Sequence, residues 1–388
     1  MRRQLPVSSP VSLAGLARGI SGAFGLDTAE SVSAELQRRH HTASVRLTDS
    51  GTSALVLALR AAVPRGGTVA FPSYSCVDLA AAARYAAVRV RLYDLDPETL
   101  SADLSSLEAT LRRGADAVVA VHLYGFPVDI HAVAALARQH GAALIEDAAQ
   151  AAGSMLAGSA LGGFGDLSVL SFGRGKGTTG GRGGAVMASN PDWVARLARE
   201  GPPADQRREA GWGDLTRAAA QWLLGRPLLY GIPAAIPALH LGEMIYHPAH
   251  EPRPISRAAL SILGDALRRD AREVERRRRH AATLHTAVRE GRNLRPIRPV
   301  PGAEPGYLRF PVLDGGQREP APALGITRGY PRALFEQEEL RPSLQANEPE
   351  PLGGRHIRES LFTLPVHGLL DVRDVAHLRE WIITIAAA

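Results

Sequence analysis

AVVAVHLYGFPVDIHAVAALARQHGAALIEDAAQ, residues 117–150, decides the architecture. Its opening run, AVVAVHLYG, is apolar and rich in Val, as a buried strand requires. DIHAVAALARQH then places apolar residues at helical spacing, and AALIEDAAQ returns to a strand ending at an acid, Asp147. Strand, helix and strand in that order read as one βαβ unit. The alternation extends both ways. Upstream, SVRLTD (44–49), TVAFPS (68–73) and VRVRLYDLD (88–96) read as strands. SALVLALRAAV (53–63), CVDLAAAARYA (76–86) and LSSLEATLRR (104–113) read as helices. Downstream, LSVLSFG (167–173) and GGAVMAS (183–189) are two more strands with no room for a helix between them. The pattern predicts an α/β fold: a mostly parallel, seven-stranded sheet flanked by helices. Ligands gather at the carboxyl ends of such strands, which sets Ser50, Ser73, Asp147 and Ser171 along one rim.

The 388 residues divide into an N-terminal helical segment (1–40), a large α/β domain (41–255) and a smaller C-terminal α+β domain (256–388). The last opens with a long charged helix, SRAALSILGDALRRDAREVERRRRHAATLHTAV (256–288). Its basic cluster Arg276–Arg279 is interleaved with Asp265, Asp270, Glu273 and Glu275, which predicts a solvated face and no nucleic-acid interface. A composition of 45% hydrophobic and 22% charged residues is that of a soluble globular chain. Cys76 is the single cysteine, so no internal disulfide forms and a reducing, cytoplasmic compartment is expected. No zinc-ligand spacing occurs, and no metal site is expected. Pro10 and Arg18 interrupt the N-terminus, against a signal peptide. The apolar run 221–246 is broken by Arg226, Pro227, Pro233, Pro237, His240 and Glu243, against a membrane span and for a packed interface.

Chemistry concentrates in SFGRGKGTTGGRGG, residues 171–184. Lys and Arg together number 45, and Lys176 is the one lysine among them. Arg effectively never loses its proton, whereas Lys can act as an amine nucleophile. A phosphate loop of the GxxxxGK[ST] kind is excluded, because Leu170 and Gly177 stand where it needs Gly and a hydroxyl. In SGTSAL (50–55) a Gly turn opens a helix whose free N–H groups, with Thr52 and Ser53, suit an anion; a cap without a ligand reads equally well. In IEDAAQ (145–150), Asp147 suits a cationic heterocycle, although a turn cap is the plainer reading. Their combination is stronger. A phosphate turn, an acid about 95 residues on and a lone lysine about 30 further suggest pyridoxal 5'-phosphate held as a Schiff base.

At this point the chain resembles the DegT/DnrJ/EryC1/StrS family of pyridoxal-phosphate aminotransferases, of fold type I. The resemblance is carried by SGTSAL (50–55), PSYSCVD (72–78), VHLYGFPVDI (121–130), IEDAAQAAGS (145–154) and SFGRGKGTTGGRGG (171–184), then LGITRGYP (324–331) and LFTLPVHGLL (361–370). It implies that Lys176 carries the cofactor and shuttles protons. It implies that Asp147 pairs with the pyridine nitrogen and Gln150 lies against the ring hydroxyl. Gly51, Thr52, Ser53 and Ser171 then hold the phosphate. The family often has an aromatic ring where Cys76 falls, so either Cys76 packs on the cofactor or Tyr74 turns in. Arg182 stands where an acid is common. The segment through which a partner subunit reaches the phosphate is not recognisable; by spacing, His250 or Arg253 takes its place.

The resemblance implies a cytoplasmic homodimer that moves an amino group, usually from glutamate, to a keto-sugar on a nucleotide carrier. Two other functions compete with this one. Relatives with different pyridoxal-phosphate chemistry hold His in place of the lysine, and Lys176 argues against that reading. A non-catalytic cofactor-binding homologue would be free to lose the lysine, so its retention counts against this reading too.

Overall fold

The apolar runs become strands wherever both faces are covered. The computed structural model describes residues 3–25, 29–201, 207–236, 245–291, 294–315 and 318–384. After α1 (Leu13–Ala23) and α2 (Ala29–His40), the chain builds β1 (Ser44–Thr48), β2 (Thr68–Pro72), β3 (Arg89–Tyr93), β4 (Ala117–Val121) and β5 (Ala143–Asp147). Between them run α3 (Gly51–Ala62), α4 (Asp78–Ala86), α5 (Leu104–Arg112) and α6 (Ile130–Gln139). Two short strands, β6 (Met155–Leu156) and β7 (Ser159–Ala160), precede β8 (Leu167–Ser171) and β9 (Gly184–Ala188). The main sheet has seven strands in the order β1-β9-β8-β5-β4-β2-β3. Strand β9 is antiparallel to both β8 and β1, and every other neighbouring pair is parallel. Strands β1, β5 and β8 therefore share one direction, and their carboxyl ends open on one rim. This is the predicted seven-stranded sheet.

Every residue of β2, β4 and β9 is buried, as strands covered on both faces should be. Helix α3 is nearly as buried, from Ser53 to Leu59. Its N-cap is Ser50, whose Oγ accepts the Ser53 N–H at 3.0 Å.

Beyond β9 come α7 (Pro191–Ala198), α8 (Trp212–Leu224), the one-turn α9 (Gly231–Ala234) and the 34-residue α10 (Arg257–Glu290). Strands β10 (Leu294–Pro296), β12 (Phe310–Asp314), β13 (Thr327–Arg328) and β14 (Leu361–Leu364) form an antiparallel sheet in the order β10-β12-β14-β13. Strand β11 (Ala303–Glu304) instead joins β6 and β7 in a small sheet that nothing in the sequence had suggested. Helices α11 (Leu352–Ser360) and α12 (Val372–Ile383) complete the chain. Helix α10 belongs to two cores. Its first half buries Ala259, Leu260 and Leu263 against the main sheet, and its second half buries Ala281, Leu284 and Ala287 against the four-stranded sheet.

One expectation needs correction here. The charged face of α10 is only partly solvated: Glu275, Arg276 and Arg279 are exposed, while Asp265, Asp270 and Arg277 are buried. Asp265 accepts from Ser12 (2.7 Å) and Arg269 (2.9 Å); Asp270 accepts from Arg39 and Thr178, both at 2.7 Å. Apart from Arg269, one turn along α10, these partners come from distant parts of the chain, which helical spacing cannot reveal. The apolar run 221–246 is no single element. Among the described residues, no helix is long and apolar enough to cross a membrane. Leu223, Leu224, Leu228, Ile232 and Ile236 are exposed; residues 237–244, including Pro237, His240 and Glu243, lie outside the described residues.

Candidate active site

At the rim where β1, β5 and β8 end, the structure holds a cavity of about 230 Å³, many times the ~30 Å³ share of a liquid water. Gly51, Thr52 and Ser171 border it, as do Cys76, Asp147, Gln150 and Lys176. Positions spread over 125 residues of chain thus meet in one place, because parallel strands bring their ends to the same edge. The first N–H groups of α3 have no acceptor within the helix. Ser50 takes those of Ser53 (3.0 Å) and Ala54 (3.1 Å), which leaves Gly51 and Thr52 at the cavity. Gly51 also permits a close approach: a Cβ there would lie 2.7 Å from the Ser171 Cβ. Gly51→Ala is expected to cost about 1–3 kcal/mol of stability through overpacking and to push Ser171 out of line. A urea midpoint shift would show the first effect, and weaker binding of pyridoxal phosphate in equilibrium dialysis the second.

Asp147 is buried at the end of β5, and its Oδ1 accepts the Ala149 N–H at 3.0 Å. Desolvation pushes this carboxyl above its usual range, against the opposing pull of Lys176 and His122. A cation delivered into the cavity would relieve that cost. Gln150 is fixed at both ends: its Oε1 accepts the Tyr124 N–H at 2.8 Å, and its Nε2 donates to the Tyr330 hydroxyl. The Cys76 thiol is pushed far up, first by burial and then by the charge of Asp78, so it is a neutral packing group rather than a nucleophile.

Two predicted residues do not reach the cavity. The Ser53 hydroxyl is buried and accepts from Ser50 Oγ at 2.9 Å, so it completes the helix cap instead of facing a ligand. Tyr74 is fully buried behind Cys76; its hydroxyl meets Tyr124 Oη at 3.2 Å and accepts the Tyr330 N–H. Of the two alternatives, Cys76 and not Tyr74 faces the cavity. His250 and Arg253, expected to serve a partner subunit's site, gather at Asp49 in their own chain. His250 Nε2 lies 3.3 Å from Asp49 Oδ2, and the Arg253 N–H donates to Asp49 Oδ1 at 3.3 Å.

Ser75 and Arg174 line the cavity without having been singled out in the sequence, and Arg182 joins them. Ser75 is fully buried at the cavity, and its Oγ has no hydrogen-bond partner. Arg174 and Arg182 bring two guanidinium groups to the same wall; Arg182 Nε donates to the Asp49 carbonyl at 3.2 Å. Their signal was present in the glycine-rich stretch, where each charged residue between glycines had a claim on the same ligand. Among the described residues no His/Cys/Asp/Glu group suited to a metal ion occurs.

Comparison with known proteins agrees with this geometry. Residues 26–201 match the DegT/DnrJ/EryC1/StrS aminotransferase family. The chain is similar to a UDP-N-acetyl-3-dehydro-alpha-D-glucosamine 3-aminotransferase of Acidithiobacillus ferrooxidans, with 35% identity over 38% of this chain and 41% of that protein. It is similar to an L-glutamine:2-deoxy-scyllo-inosose aminotransferase of Streptoalloteichus tenebrarius, with 32% identity over 65% of this chain and 54% of that one. The chain thus spans about half the length of the curated relatives it matches. Among solved structures, the sugar aminotransferase CalS13 from Micromonospora echinospora superposes with a TM-score of 0.74, covering 97% of this chain and 98% of that one at 22% identity. That likeness shows the fold type.

Proposed function

We propose that this chain, whose residues 26–201 belong to the DegT/DnrJ/EryC1/StrS aminotransferase family, is a pyridoxal-phosphate-dependent sugar aminotransferase. The observation that carries the reading is the meeting of Lys176, Asp147 and the open start of α3 in one cavity. The donor set fits the cofactor. A buried carboxyl with no ion-pair partner among the described residues, two helix-start N–H groups beside Ser171, and the orphaned Ser75 Oγ match a cationic ring that carries an anionic phosphate. When bound, pyridoxal phosphate supplies a carbonyl carbon that condenses with amines and a ring that accepts electrons.

The chain's own groups do the rest. The carboxylate of Asp147 keeps a ring nitrogen protonated by its charge. Backbone N–H groups of Gly51 and Thr52, with the Ser171 hydroxyl, take the phosphate. Gln150, locked by Tyr124 and Tyr330, offers its amide to the ring edge. The amine of Lys176 would hold the cofactor and carry the proton in both halves of the exchange. The names of the relatives point to keto groups of sugars and cyclitols as acceptors, and glutamate is the donor we propose. A cytoplasmic homodimer is the state we propose.

The test is an absorption spectrum of the purified protein reconstituted with pyridoxal phosphate. A yellow band is expected, bleached by borohydride with label trapped on the peptide containing Lys176; glutamate should shift the band. A reconstituted protein without any such band would sink the proposal.

A further inference from the structure

A second cavity, of about 110 Å³, lies between the N-terminal residues 7–11, α8 and α10. It borders Gly177, the residue after Lys176, and shares no lining residue with the candidate active site. Four guanidinium groups face it, from Arg226, Arg269, Arg276 and Arg277, against one carboxylate, that of Glu273. Arg269 is bonded to Asp265 at 2.8 Å and Arg276 to Glu273 at 3.3 Å. The other two have no such partner. Among the described residues, neither Arg226 nor Arg277 has a carboxylate within ion-pair distance; Arg226 lies 4.9 Å from the centre of the Trp222 ring.

Arg277 is the decisive group. Only 4% of it is exposed, and its Nη2 donates to the Ala152 carbonyl at 2.8 Å. Its Nε is buried without a partner, although Asp270 and Glu273 act on it from a distance. His367, also 4% exposed, donates Nε2–H to the Leu5 carbonyl at 3.0 Å, so its buried, unpartnered Nδ1 is an acceptor that suits the proton of a hydrogen phosphate. A buried cation with an unmet donor, beside a surplus of positive charge, is unfavourable until an anion enters.

We propose that this cavity is an oxyanion site that takes one phosphate group, with Arg277 at its base and Arg226 and Arg276 at its exposed mouth. Guanidinium groups suit phosphate because their N–H donors form a planar fork. The cavity has room for a phosphate group and is open on one side. The phosphate is either free or the terminal group of a nucleotide carrier. The site rests on its own residues and stands or falls separately from the cofactor reading.

The test titrates inorganic phosphate, and then UDP, into the full-length protein in phosphate-free buffer without unbound pyridoxal phosphate, read by tryptophan fluorescence and by calorimetry. An entering anion draws Arg226 from the Trp222 ring, so the fluorescence should change. Trp222→Phe should abolish that change and keep the heat of binding. Arg277→Met should weaken binding by about tenfold or more. Because Arg277 is buried and its loss could disturb folding, Arg226→Ala with Arg276→Ala is the second variant, with the same expected loss. UDP binding about tenfold tighter than phosphate identifies a carrier-borne group, and equal affinities identify free phosphate. No Trp222-dependent signal at millimolar phosphate, or unchanged affinity in the double variant, would overturn the proposal.

Discussion

On the proposed function, Lys176→Ala is expected to lower the rate of amino transfer by roughly 10²–10⁴-fold, the range for loss of a positioned acid–base group. The variant also loses the borohydride-trapped label. The argument rests on chemistry that no other residue of this chain can replace: the cavity's other cations, Arg174 and Arg182, do not release a proton near neutral pH. Lys176 is only partly buried, so its removal should leave the urea midpoint nearly unchanged, separating a chemical from a structural loss. A small primary amine added to the variant should restore part of the rate, because it returns a movable proton to the cavity. A variant that keeps more than about a tenth of wild-type activity would remove Lys176 from the mechanism.

The second large effect is on stability. Glu146 precedes Asp147 in β5 and points to the opposite face of the sheet. It is fully buried, yet its carboxylate is saturated with partners. His122 Nε2 lies 3.0 Å from Oε1, and the N–H groups of Gly162, Phe164 (2.8 Å) and Gly165 (3.2 Å) and the Ser168 hydroxyl (3.2 Å) converge on the two oxygens. Glu146→Ala strands all of these donors in the interior and is expected to destabilise the fold by about 3–5 kcal/mol. Denaturant unfolding measures it, and a loss below about 1 kcal/mol would refute the account.

The pH dependence gives an independent reading. Burial alone would raise the Glu146 carboxyl, but the bonds from His122, Gly162 and Phe164 outweigh it and hold the group below its ordinary 4.5. A depressed pKa means the contribution is complete above the unfolded value. It drains away as pH falls from about 4.5 through the lower folded value. Wild type should therefore lose stability more steeply below that pH than Glu146→Gln does.

Much of the site was legible before any fold was seen. Lys176 stands out because the chain otherwise uses arginine, and Asp147 because it ends an apolar strand. The start of α3 announces itself through Ser50-Gly51-Thr52, since a Gly turn at a helix start has a recognisable composition. The choices that went astray were between neighbours. Ser53 shares the composition of the phosphate turn, but its hydroxyl accepts from the Ser50 cap, whereas Ser75 is buried and unpartnered at the cavity. Tyr74 and Cys76 were left as alternatives, and the register of their loop turned Cys76 inward.

What the sequence determined by itself was local and compositional. It specified the order of strands and helices, the mostly parallel sheet that order implies, and the residue types a pyridoxal-phosphate site requires. Those follow from periodicity, turn chemistry and the proton chemistry of lysine, all carried within a few residues. Only the tertiary structure decided which of two adjacent side chains faces the cavity. It also decided which charges of α10 are buried: Asp265 and Asp270 meet Ser12 and Thr178, Arg277 meets Ala152, and none of these partners is near in the chain. The physical reason is that facing and pairing are set by neighbours brought together through folding. A shift of one residue turns a side chain to the other face, while the sequence pattern around it stays almost the same.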